Sequence, residues 1–111
     1  MQNIESIADW EGLMEESMIR PVVIFKHSNA CPESTTARQF LARSQPMEII
    51  TEPIHMVVVQ EKRDVSDKIE QDLGVKHESP QVIVIKNKKA VYDVDHEAID
   101  PVEIEKIICQ K

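Results

Sequence analysis

Four consecutive apolar residues, Val22-Val23-Ile24-Phe25, stand between a proline and a polar turn, and three of the four are β-branched. Side chains of a strand point alternately to its two faces, so a run that is apolar at every position suits a strand covered on both sides. A central strand is expected here. The flanking segments supply the cover. Ile4, Ile7, Ala8, Leu13, Met14 and Met18 recur near helical spacing with acidic residues between them, and Pro21 ends that amphipathic first helix. Beyond the strand, Pro32 fits the first position of a helix, where its missing N–H would be unpaired in any case. That puts Cys31 at the N-cap, with Ala37, Phe40 and Leu41 on the buried stripe.

Ile54 to Val59 reads as a second, parallel strand, and Val65, Ile69 and Leu73 as the stripe of a helix closed by Gly74. Gln81 to Ile85 and Ala90 to Val94 are then two strands joined by Asn87-Lys88-Lys89, a connection short enough only for an antiparallel hairpin. The last helix opens with Asp100 as N-cap and Pro101 behind it, and presents Ile104, Ile107 and Ile108. The order α-β-α-β-α-β-β-α joins a parallel βαβ unit to a ββα unit. On a chain of 111 residues this predicts an α/β protein of the thioredoxin-like fold, a four-stranded mixed sheet flanked by helices, as a single domain over 1–111.

Thirteen basic residues against twenty acidic ones give a net charge of -7, the wrong sign for binding phosphates. No nucleic acid and no membrane surface is expected as a partner. The longest apolar runs are about five residues, far short of the ~20 that span a bilayer, and MQNIESIADW has no signal-peptide pattern. A soluble cytoplasmic protein is the expectation. Two cysteines, Cys31 and Cys109, are too few for a disulfide framework.

Cys31 stands at a strand-to-helix turn among Ser28, Asn29, Glu33 and Ser34, where a structural cysteine would instead sit inside an apolar run. At a helix N-cap the first-turn amides of Glu33 and Ser34, the Ser34 hydroxyl and the helix dipole all favour the ionised sulfur, and Pro32 has no N–H to compete. Lys26, His27 and Arg38 add positive charge nearby, and Glu33 opposes them. Position 34 is serine, so no C-x-x-C disulfide can form; the site can attack a mixed disulfide and hold the adduct until another thiol arrives. Ser79-Pro80 precedes the third β run, where the thioredoxin fold holds a cis-proline beside its reactive cysteine. The backbone before Pro80 can there pair with an extended disulfide substrate.

Phe25-Lys26-His27-Ser28, Cys31-Pro32-x-Ser34 and Leu73-Gly74-Val75-x-His77-Glu78-Ser79-Pro80-Gln81 together resemble the monothiol bacilliredoxin family, thioredoxin-fold proteins of bacteria that use bacillithiol. The resemblance implies reduction of S-bacillithiolated client proteins, with Cys31 as nucleophile and bacillithiol as the low-molecular-weight thiol co-substrate that regenerates it. It departs at Glu33, where the family motif Cys-Pro-Ile-Ser has isoleucine. A carboxylate there works against the thiolate and against the malate carboxylates of bacillithiol. Lys26 and His77 are the cationic side chains expected to meet those carboxylates, with Ser79 and Pro80 forming the rest of the substrate site.

Two other readings use the same residues. A single-cysteine site could carry an iron-sulfur cluster as monothiol glutaredoxins do, though Cys31-Pro32-Glu33-Ser34 lacks the glycine of their C-G-F-S pattern. The Pro80 groove could also serve a non-enzymatic binding module. No C-x-x-C or H-x-x-H pair suggests a bound metal, and none is expected. His55 and His96 are expected to be structural, His27 to sit at the strand end or to modulate the thiol, and Cys109 to end the last helix away from Cys31.

Overall fold

The computed structural model describes residues 1–110. In chain order these form β1 (Gln2–Asn3), α1 (Ile7–Glu16), β2 (Val22–His27), α2 (Pro32–Ser44), β3 (Ile54–Val58), α3 (Arg63–Leu73), β4 (Gln81–Lys86), β5 (Lys89–Asp95), a 3₁₀ turn (His96–Ala98) and α4 (Pro101–Cys109). The strands lie in the order β1-β3-β2-β4-β5. β1, β3 and β2 run parallel; β4 is antiparallel to β2, and β5 to β4.

β2 lies at the centre, and its alternation explains its composition. Val23 and Phe25 face α2 and α4 together with Ala37, Leu41 and Ile104, whereas Val22 and Ile24 face α1 and α3 with Trp10, Val65 and Ile69. Burying a side chain such as Phe25 or Ile24 contributes about 1.5–3 kcal/mol relative to leaving it exposed, so the strand is stabilised from both faces. Trp10, fully buried, donates from Nε1 to Asp72 Oδ2 at 2.8 Å and so ties α1 to α3.

The sheet has five strands where four are expected. Gln2 and Asn3 pair with His55 and Met56, and the Ile4 N–H donates to the Met56 carbonyl at 2.8 Å. Ser6, in extended conformation at φ -152°, caps α1 by accepting the Asp9 N–H. The first helix therefore starts at Ile7 rather than Ile4, and the chain before the cap is left free to pair. Between β4 and β5 the loop is two residues, not three: Asn87 (φ 53°) and Lys88 (φ 64°) are both left-handed, as a type I′ turn requires. Gly74 ends α3 at φ 68°, a conformation glycine adopts without Cβ strain.

One end of the sheet gathers the loops that matter. His27 at the end of β2 pairs with Val58 of β3, Lys26 pairs with Gln81 at the start of β4, and the His96 N–H donates to the Pro80 carbonyl at 3.0 Å. The loop before α2, the loop after β3, the Ser79-Pro80 segment and the 3₁₀ turn thus share the edge where open α/β sheets bind ligands.

Candidate active site

Cys31 occupies the N-cap of α2 with φ -116° and ψ 116°, and Pro32 follows in the first turn. Its thiol is half-buried and free. The loop that delivers it is pinned on several sides. Ser28 Oγ accepts from Gln60 Nε2 at 2.7 Å and from the Ala30 N–H at 3.2 Å. The Asn29 N–H donates to Gln60 Oε1 at 3.1 Å, and Asn29 Nδ2 to Glu61 Oε2 at 3.2 Å. Gln60 and Glu61, from the loop after β3, therefore set where the sulfur stands.

The expected cap bond from the first-turn amides to the Cys31 sulfur does not form; the Ser34 and Thr35 N–H groups donate instead to the Cys31 carbonyl, at 3.0 and 3.1 Å. The Ser34 hydroxyl also points elsewhere than expected. Fully buried, it accepts the Ser28 N–H at 2.9 Å and meets His27 Nδ1 at 2.8 Å. Ser34 thus braces the loop from beneath rather than touching the thiol. Burial, and secondarily the Arg38 charge, hold His27 below the usual imidazole range. Of the first-turn amides, that of Glu33 still has no helical carbonyl behind it. The Glu33 side chain is exposed.

Lys26 requires a second correction. Rather than facing solvent where a thiol's carboxylates could reach it, it is fully buried on the α3 side of β2, because its position in the alternation is that of Val22 and Ile24. Its Nζ donates to the Ser66 carbonyl and lies against His77 Nδ1, both at 3.2 Å. Desolvation lowers the Lys26 pKa, and Glu70 and Asp67 on α3 oppose that shift. With Lys26 as an ammonium, which has only donors, His77 Nδ1 accepts and the imidazole proton sits on Nε2. Burial first and the Lys26 charge second hold the His77 pKa down, which favours the neutral ring. The His77 N–H donates to Glu70 Oε2 at 2.7 Å, anchoring the segment that leads to Ser79 and Pro80.

The Ser79-Pro80 peptide bond is cis, and Pro80 is buried. Among the described residues, the Ser79 N–H and carbonyl have no intramolecular partner, while the Pro80 carbonyl is taken by His96. His96 and Glu97 were missed as site residues in the sequence. The β4–β5 register carries them to the site, and together with Pro32, Glu33 and Phe40 they line a cavity of about 370 Å³. Asp95 Oδ1 contacts His96 Nδ1 at 3.0 Å and raises its pKa. The sign that could have found them is topological: the turn after the last strand of this sheet order returns to the Pro80 edge.

Cys109 is exposed near the opposite end. Lys86, the last residue of β4, donates to the Ile107 and Gln110 carbonyls, whereas the first residue of β4 adjoins Pro80. Five residue steps of strand, at about 3.3 Å each, separate the two ends. A hydrogen bond to Glu105 raises the Cys109 pKa, away from reactivity. Among the described residues, no group of three or more His, Cys, Asp or Glu side chains is placed to hold a metal ion. No helix there is long and apolar enough to cross a membrane.

Cys31 is a half-exposed thiol at a helix N-terminus, and the chain carries a cis-proline at Pro80. The family profile described as Monothiol bacilliredoxin BrxC matches residues 2–104. The chain belongs to this family. A solved chain described by its thioredoxin fold and a provisional oxidoreductase assignment is 30% identical, with 95% of this chain and 90% of that chain covered and a TM-score of 0.82. The thioredoxin of Fasciola hepatica (19% identity, 97% and 96% covered, TM-score 0.71) shares the fold. So does the Schistosoma mansoni thioredoxin pre-protein (21% identity, 96% and 92% covered, TM-score 0.71). This bacilliredoxin is therefore a thioredoxin-fold redox protein, with serine at the position of a second motif cysteine.

Proposed function

We propose that this bacilliredoxin is a monothiol disulfide reductase that removes bacillithiol from S-bacillithiolated client proteins, with Cys31 as its nucleophile. The supporting observation is the pairing of a half-exposed N-cap thiol at Cys31 with a Ser34 hydroxyl turned inward to Ser28 and His27. Such a motif offers a nucleophile and no resolving partner.

In the first step the Cys31 thiolate attacks the bacillithiol sulfur of the mixed disulfide. That S–S bond breaks, the client thiolate leaves and takes a proton, and Cys31 holds bacillithiol in a new disulfide. In the second step the thiolate of another bacillithiol attacks that adduct, bacillithiol disulfide departs, and Cys31 is thiolate again. The net exchange turns the mixed disulfide and one bacillithiol into the client thiol and bacillithiol disulfide: one S–S bond breaks and one forms, and the incoming bacillithiol sulfur is oxidised as the client sulfur is reduced. The unpaired Ser79 backbone groups suit an extended substrate laid beside the sulfur, and the partly exposed His77 stands on the segment that leads to them. Lys26 acts only through His77. The reaction belongs in a thiol-reducing compartment, the cytoplasm, and the chain acts as a single domain over 1–111.

Intact mass during turnover of a bacillithiolated protein tests this. A Cys31–bacillithiol adduct should accumulate when free bacillithiol is limiting and vanish when it is restored. Cys31→Ser should keep the fold while losing turnover by at least a hundredfold, and Cys109→Ser should keep at least half. Near-normal turnover by the Cys31→Ser variant sinks the mechanism. An air-sensitive chromophore after iron and sulfide reconstitution that needs Cys31, without reductase activity, would favour the cluster carrier.

A further inference from the structure

A groove runs along α2 away from Cys31. Its near half is walled by Glu33 and Thr36 on one side and by His96 and Glu97 on the other, over a floor of Phe40 and Ile99. The far half, about 470 Å³, shares Phe40, Glu97 and Ile99 and continues past Arg43 to Met47 and Ile49. Met47 is 66% exposed, an apolar side chain with little cover of its own. The thirteen residues of α2 span about 20 Å, the reach of roughly six residues of extended chain.

Charge divides the groove. Glu33 and Glu97 are exposed on the near half, and Glu78 and Asp95 lie within electrostatic reach of His96. His96 is the basic side chain there, and its Nδ1 already meets Asp95 Oδ1 at 3.0 Å. At the far half Arg43 and Asp100 both line the groove, together with the apolar Phe40, Met47 and Ile49. Acidic side chains outnumber basic ones at the near end, and an apolar floor runs beneath both halves. Carboxylates beside Cys31 repel a thiol that carries malate, so this groove suits the polypeptide rather than the bacillithiol of a mixed disulfide.

We propose that the α2 groove seats the client segment on one side of the modified cysteine, favouring a basic residue close to that cysteine and an apolar residue further along. The proposal rests on Cys31 being the nucleophile, since it is Cys31 that brings the client to this edge. Complementary charge at an exposed site is worth enough for a preference of about 3–10-fold in kcat/KM between basic and acidic flanks. The preference should shrink as salt shortens the reach of the charges.

The test uses the whole chain and peptides with bacillithiol on a central cysteine, the neighbouring positions being Lys with a more distant Leu, or Glu with the same Leu. The bacillithiol mixed disulfide of free cysteine has no flanks and reports the chemistry alone. Faster turnover of the Lys peptide at 50 mM salt, fading by 500 mM and inverted in Glu97→Lys, is the expected result; Glu97→Gln, which should only flatten the preference, guards against a folding defect. Equal turnover of both peptides overturns the groove while leaving the chemistry intact. Binding to the Cys31→Ser variant, read from amide NMR shifts, does not depend on turnover. Shifts at Thr36, Phe40 and Glu97 that are stronger for the Lys peptide support the groove even if no substrate is reduced. No shift there, or a self-associated dimer that already covers these residues, overturns it.

Discussion

Ser34 and Lys26 are polar residues with fully buried side chains, and each works by holding a neighbour. Removing the Ser34 hydroxyl strands the buried Ser28 N–H and one partner of His27, and an unsatisfied buried donor costs about 1–3 kcal/mol. Ser34→Ala should therefore lower the unfolding free energy measured in urea by that much and loosen the loop before Cys31; an unchanged free energy would mean water replaces the hydroxyl. Lys26→Met retains the volume and relieves the desolvation of a charge, so stability should stay within about 1 kcal/mol or rise. The same variant removes the positive charge that depresses His77. The His77 pKa, followed by imidazole NMR shifts, should rise, yet stay below the usual range because burial is the larger cause and remains. No movement would mean that Lys26 is not charged beside it. That position 34 is serine was readable from the sequence; that its hydroxyl faces inward was not, because direction depends on Ser28 and His27 being folded around it.

At the scale of elements, the β4–β5 hairpin carries a local conflict. A type I′ turn wants glycine at its second position, and Lys88 sits there at φ 64°. The turn is held by tertiary bonds: the Asn87 N–H donates to the Ser17 carbonyl at 2.8 Å and the Lys88 N–H to Ser17 Oγ at 2.9 Å. Lys88→Gly keeps both backbone donors, removes left-handed strain of roughly 1 kcal/mol, and loses an exposed Glu15 ion pair worth less than that. A stabilisation of about 0.5 kcal/mol in chemical denaturation is expected, and destabilisation would show the ion pair to be stronger than exposed pairs usually are. The caps were more legible. Asp100 accepts the Val102 N–H at 2.9 Å with Pro101 behind it, as its residue type announces, because a cap is settled within three or four residues. The two-residue β1 carries no period to read, and its pairing was settled by β3.

For the molecule as a whole, acid should destabilise. His27, His55 and His77 all have pKa values lowered by burial, so between those values and the ~6.5 of an unfolded histidine the unfolded chain binds more protons. Stability then rises with pH through this window and falls as pH drops from about 7 to 5. His96 runs the other way: its pKa is raised, so its stabilisation is full below ~6.5 and fades as pH climbs through the raised value. Three groups outweigh one. Relief of the -7 net charge also favours the acid side, which 0.5 M salt suppresses. Urea midpoints in that salt should be lower at pH 5.5 than at 7.5; a higher midpoint at 5.5 would mean that charge relief or His96 dominates.

By itself the sequence determined the order of the helices and of the strands from β2 onward, the central position of Val22 to Phe25, the N-cap site of Cys31 and the lack of a second motif thiol, because period, caps and turn chemistry act over a few residues. Family membership was visible in motifs for the same reason. Tertiary structure alone decided that Lys26 is buried against His77, that Ser34 braces Ser28 rather than the thiol, and that His96 and Glu97 stand across from Glu33. Those outcomes depend on which strand face a side chain takes and on which distant loop arrives at the Pro80 edge. Both are set by the register of the folded sheet, a long-range property that no local window of residues contains.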